Sequence, residues 1–332
     1  MCSLSYLPDN KFDEKTFNEY YSELEQYIYT NKPIKYHVVL PLENFDCALD
    51  LSSIKLSDDI KIVSARNTFY PDIFEEDKDR WVDELGLKIY DYCPPKFFLE
   101  IDRKIKRKML LSKSEEDIID NVKNKWREVL KILRLFKKGD LNFGYAYWYS
   151  KLPCDPQYIS DTMLAFGDNY DTPNKYILEE SEIGNLQVLF KKYSINSGKE
   201  DFPQSSIDCF NDGAIENKPE KKLLDYIGGL ENLLVKEKSM KKRSLLTKRT
   251  ANFIGKDQND WMNILKNIEY AYELRNKIAH GSKGETSLSK CKEYSNRMEN
   301  YARQSINKWL DMVDKGLTKQ DILNSIEIVP FS

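Results

Sequence analysis

Two histidines occur in 332 residues, His37 and His280, and the second lies near the end of the segment YELRNKIAHG (272–281). An imidazole titrates near neutral pH and is the first candidate for moving a proton. Arg275, five positions earlier, carries a permanent planar charge matched to phosphoryl oxygens. Asn276 adds an amide able to hold a ring nitrogen. Together these groups suit acid–base chemistry on a phosphodiester: the cation neutralises the phosphoryl oxygens and the histidine takes or gives the proton.

Spacing both helps and hinders that reading. Helical periodicity over 260–281 puts Trp261, Ile264, Ile268, Ala271 and Arg275 on one stripe, with Leu265 and Tyr272 beside it. Arg275 therefore falls where an inward or half-buried residue is expected, and a guanidinium there needs a carboxylate or a phosphate as partner. Five helical steps separate Arg275 from His280 by about 140°. Asn276 and His280, four apart, do share a face. A second reading remains open, because His-Gly is also an ordinary helix end: the imidazole complements the helix dipole and Gly281 stops the helix. His37, between Tyr36 and Val38 in a β-favouring run, reads as a plain strand residue.

The elements that must position these groups follow from patterning. A helix is expected over 12–30, strands over 34–42, 46–52, 60–65 and 96–105, a helix over 115–136, a strand over 142–150 and a loop over 151–164. Beyond this the pattern is helical at 174–194, 203–216, 218–238, 241–255, 260–281 and 285–316. Leu223, Ile227, Leu230 and Leu234 step by four, three and four, behind Pro219 and Glu220 at the first turn. Gly255 reads as a helix stop. The expected fold is an α+β N-terminal domain followed by an all-α bundle, with domains at 1–165 and 172–320.

Composition narrows the function. The chain is 41% hydrophobic, 12% aromatic and 32% charged, with a net charge of −3, so it is globular and any nucleic-acid site must be a local basic patch. One such patch is KEKSMKKRSLLTKR (236–249), with seven Lys/Arg against one Glu. Its Lys241, Lys242, Arg243, Lys248 and Arg249 are candidate RNA-phosphate contacts, which would make binding salt-dependent; the other reading is a solvated turn between helices. Six well-separated cysteines and the absence of an apolar leader suggest free thiols in the cytoplasm and no membrane segment. No metal-ligand spacing and no phosphate-binding glycine loop is present, so neither a metal nor a cofactor is expected.

RNKIAHG resembles the R-x4-6-H motif of the HEPN superfamily (higher eukaryotes and prokaryotes nucleotide-binding). The segments KKLLDYIGGLENLL, LTKRTANFIG and IEYAYELRNKIAHG are similar to successive helices of Apea-like HEPN domains, over about 203–316. The N-terminal half resembles more loosely an accessory or sensor-like domain that often precedes that module. This resemblance implies a metal-independent endoribonuclease whose Arg and His meet across a homodimer, or a higher oligomer, and which uses the RNA 2′-hydroxyl as nucleophile. It implies Arg275, His280 and Asn276 as catalytic residues, with Glu231 and Tyr272 in support. It further implies a phage-defence or toxin-like effector, governed by a phage or cellular trigger or by an antitoxin-like regulator. The alternative is a non-catalytic HEPN protein that binds nucleotides, RNA or a partner.

Overall fold

Branched residues at 34–42 and the apolar stripe at 115–136 form the elements their patterns call for. The computed structural model describes residues 14–29, 34–42, 44–47, 53–64, 96–105, 115–141, 146–150, 160–162, 174–235, 241–280 and 287–327. They fall into two compact units. One takes Met1–Arg127, Leu141–Phe166 and Asn174–Ile183; the other takes Glu128–Asp140, Gly167–Pro173 and Gly184–Ser332.

The first unit is built on strands. In chain order it contains α1 (Glu14–Tyr29), β1 (Ile34–Leu42), β2 (Phe45–Cys47), β3 (Ser53–Lys55), β4 (Ile60–Ser64), β5 (Phe97–Ile105), the start of α2 (Glu115–Phe136), β6 (Ala146–Ser150), β7 (Ser160–Thr162) and β8 (Tyr176–Leu178). Six strands form one sheet in the order β3-β4-β5-β1-β6-β7, every neighbouring pair antiparallel. β2 and β8 form a separate parallel pair. Successive residues of a strand point to opposite faces, so the burial of both Val38 and Val39 means both sheet faces are covered there. His37 lies in β1 opposite Asp102 and Tyr149, a strand residue as expected.

The second unit is helical. It holds the C-terminal part of α2, then α3 (Ile183–Asn196), α4 (Gln204–Ile215), α5 (Pro219–Leu234), α6 (Lys242–Ile254), α7 (Gln258–Ala279), α8 (Leu288–Asp314) and α9 (Lys319–Ile326). Helix α5 packs against α4, α6, α7 and α8. Its Leu223, Ile227, Leu230 and Leu234 are all buried, so the four-three-four stepping marks the inner face. A Cβ on Gly229 would stand 3.1 Å from the Ser206 carbonyl oxygen, so a glycine there permits the close crossing of α4 and α5.

The coarse architecture, a sheet region followed by a mostly helical one, is the expected one. Several elements differ in detail. The segment read as a helix from 174 contains β8 and a 3-10 turn at Glu180–Glu182 before α3 begins. Tyr176 is drawn into strand pairing opposite Phe45, and their rings stack at 5.6 Å. Strand β7 lies inside the expected loop because Ser160, Asp161 and Thr162 pair with β6, a non-local choice that composition does not signal. Helix α9 was not anticipated, although its signal is local: Thr318 and Asp321 form a reciprocal capping box.

Candidate functional site

Helix α7 begins where Asp257 accepts the backbone N–H of Asp260 at 2.9 Å, and it buries Ile264, Ile268 and Ala271. Arg275 takes the next place on that stripe, with its side chain 35% exposed. Its expected partner is Glu231 on α5, with Nη2 and Oε2 3.9 Å apart, the loose limit of an ion pair. The guanidinium also lies 5.5 Å from the centre of the Tyr272 ring and donates from Nη1 to Asn276 Oδ1 at 3.3 Å.

Glu231 is satisfied on one side only: Tyr272 hydrogen-bonds its carboxylate and Arg275 stands 3.9 Å from Oε2. Its side chain is largely buried, and Oε1 has no hydrogen-bond partner among the described residues. A buried carboxylate oxygen left in this state is costly, so Glu231 attracts whatever cation or donor is nearest. Tyr272 is buried beside it. Burial first, and then the Glu231 carboxylate, push the phenol's pKa up, while Arg275 and Arg243 pull it down. A phenol is protonated at neutral pH in any case, so the Tyr272 hydroxyl is available to donate to Glu231.

The His280 N–H donates to the Asn276 carbonyl at 3.0 Å, the ordinary bond of a helix end, while the Asn276 side chain accepts from Arg275. His280 caps the C-terminus of α7 at φ −88° and is exposed. Its imidazole makes no hydrogen bond or ion pair among the described residues. Gly281 lies outside those residues.

Helices α6 and α7 border an open cleft of about 680 Å³. Lys241, Lys242, Arg243, Ser244, Thr247 and Lys248 line one side, and Leu265, Glu269 and Tyr272 the other. Four of the five basic residues singled out as phosphate contacts thus share one surface. Arg249 does not join them. Its Nε donates to Glu327 at 2.8 Å, its Nη1 donates to the Leu234 carbonyl at 2.6 Å, and its Nη2 also reaches Glu327. Its guanidinium therefore holds α6 against the end of α5 and the residue after α9, rather than facing the cleft.

Sequence reasoning missed the acidic side of the cleft. Arg243 Nη2 stands 2.6 Å from Glu273 and 3.2 Å from Glu269, bridging two carboxylates one turn apart on α7. Their i,i+4 spacing was visible in the sequence, but which basic residue they would face was not. Tyr272 joins the two halves of the site, lining the cleft while carrying Arg275 over its ring.

Among the described residues, no cluster of His, Cys, Asp and Glu is arranged to hold a metal ion, and no helix is long and apolar enough to cross a membrane. Cys47, Cys209 and Cys291 are free thiols. No protein-family model, curated protein or solved structure matches the chain.

Proposed function

We propose that the chain is a metal-independent endoribonuclease of the HEPN type, acting as a homodimer in the cytoplasm under a phage-derived, cellular or antitoxin-like control. The observation that carries this reading is a guanidinium about one-third exposed, loosely held by an incompletely satisfied carboxylate, beside a cleft rimmed with four cations and followed at the helix end by an exposed histidine. A phosphate would satisfy Arg275 better than Glu231 does at 3.9 Å, since charge-assisted fork contacts are short and bidentate. In the reaction, the RNA 2′-hydroxyl attacks the adjacent phosphorus and loses its proton, and the bond to the 5′-oxygen breaks as that oxygen gains one. His280 moves one of those protons. Arg275 offsets the charge growing on the non-bridging oxygens, and Asn276 orients the phosphate. The supporting pair is Glu231 and Tyr272.

The test is cleavage of RNA in the presence of EDTA by the purified wild type and by His280→Ala. The expected result is metal-independent cleavage that His280→Ala abolishes. Equal activity of the two proteins, or a requirement for a divalent cation, would overturn the mechanism. A second reading has an observation of its own: Arg275 already touches Glu231, Tyr272 and Asn276 within one chain, as in a structural role. On that reading the module binds nucleotides, RNA or a partner without cleaving, and the Arg275 and His280 variants change stability alone.

A further inference from the structure

The cleft between α6 and α7 divides by charge. Its α6 side presents Lys242, Arg243 and Lys248, and its α7 side presents Glu269 and, over the floor, Leu265 and Tyr272. Lys242 and Lys248 are exposed and make no ion pair among the described residues. Arg243 is different, because one nitrogen is held by Glu269 at 3.2 Å and Glu273 at 2.6 Å. Both carboxylates are about half exposed, at 60% and 49%, so the contact is a solvent-screened one that is cheap to exchange.

We infer that this cleft binds the backbone phosphates flanking the scissile bond of a single RNA strand, and that Glu269 and Glu273 hold Arg243 as a latch until a phosphate replaces them. The identity of the strand rests on the ribonuclease reading above; the anion site and its latch do not. Charge complementarity favours an anion on the α6 side. A volume of about 680 Å³ is the size of a small-ligand pocket, with room inside for one or two nucleotides of a strand. The floor of Leu265 and Tyr272 gives a sugar or base an apolar surface, as single-strand sites commonly do. Tyr272 borders both the cleft and Arg275, so a strand lying in the cleft continues toward the proposed reacting phosphate. Two carboxylates then set the threshold for entry: they partly neutralise the cleft at rest and leave Arg243 to a ligand of higher charge density.

A fluorescent 2′-O-methyl RNA decamer tests this by anisotropy with the full-length chain, because it lacks the nucleophilic hydroxyl and reports binding without cleavage. For Lys242→Gln/Lys248→Gln, the slope of log K against log salt is expected to flatten by about 1.4, at about 0.7 per phosphate contact on a single strand. Glu269→Gln/Glu273→Gln is expected to tighten binding several-fold, the scale of one exposed ion pair. An unchanged slope in the lysine variant, or unchanged or weaker binding in the glutamine variant, overturns the inference. So does equal or tighter binding of the same sequence as a duplex, or equally tight binding of inorganic tripolyphosphate, which would make the ligand a free polyphosphate. If these binding results hold while EDTA-resistant cleavage is absent, the ribonuclease reading fails and the anion cleft stands. If His280→Ala abolishes cleavage while the lysine variant keeps its slope, the cleft inference fails alone.

Discussion

Replacing Arg275 by alanine separates its two roles, and the structure sets the size of each. At 3.9 Å, the Coulomb attraction to Glu231 is about 1 kcal/mol at the dielectric of water and about 4 kcal/mol at an effective value of about 20. Arg275 is one-third exposed, so solvent screening places the pair near the lower figure, at about 1–2 kcal/mol. Loss of the contact over Tyr272 adds about 0.5–1 kcal/mol. Arg275→Ala is therefore expected to lower stability by about 2 kcal/mol in urea titration. Its effect on cleavage should be of another order, about 100- to 1,000-fold, because removing a preorganised donor to a developing oxyanion costs that much. The decisive protein is Arg275→Ala/Glu231→Gln. Neutralising Glu231 removes the carboxylate left without its cation and restores most of the stability, but it supplies no cation to the phosphate. If the double variant recovers cleavage together with stability, Arg275 is structural and the catalytic reasoning is wrong. A stability loss above about 4 kcal/mol for Arg275→Ala alone would show instead that the pair behaves as fully buried.

Three further expectations follow from the packing. Arg249→Gln should lower the thermal midpoint, with a loss of about 1–2 kcal/mol for its bonds to Glu327 and the Leu234 carbonyl, and should leave the salt slope of RNA binding unchanged. Gly255→Ala should destabilise the bundle by about 1–3 kcal/mol in urea titration, because the new Cβ would lie 2.6 Å from the Ala251 carbonyl oxygen and 3.3 Å from Trp261. Stability should also fall in alkali. Tyr193 and Tyr226 have pKa values raised above the usual 10.0, by burial first; Glu128 adds to the rise for Tyr193 and Glu299 for Tyr226. A raised folded value means their contribution is fully present below pH 10 and is lost as pH climbs above it. Tyr193→Phe removes the hydroxyl that donates to Glu128 and should flatten the alkaline limb of the urea midpoint against pH.

Much of the helical unit was legible because its information is local. The four-three-four stepping of Leu223 to Leu234 and the stripe from Ile264 to Arg275 repeat at helical spacing, and helix boundaries came within a few residues wherever a cap or proline marked them. The short strands were less legible. β7 and β8 are three residues each, and what makes them strands is a partner distant in the chain, not their own composition. Gly255 was recognised as the end of a helix, but for another reason than the left-handed turn a glycine usually supplies there. Its φ is −62°, and the lack of a side chain is needed because a Cβ would lie 2.6 Å from the Ala251 carbonyl oxygen, with Trp261 at 3.3 Å beyond it.

At the site, the sequence alone determined that Arg275 sits on an apolar stripe and therefore needs a partner, since the cost of an uncompensated half-buried charge follows from helical periodicity. It also fixed the types of group at the helix end. The resemblance already pointed to Glu231 as the partner of Arg275; only the tertiary structure decided how loosely that carboxylate holds it, which of the basic residues face one cleft and which one is spent on holding helices together. Those outcomes depend on how α5, α6, α7 and α9 pack. Lys248 and Arg249 are adjacent in sequence, yet one lines the cleft and the other reaches Glu327, because neighbouring positions on a helix point about 100° apart.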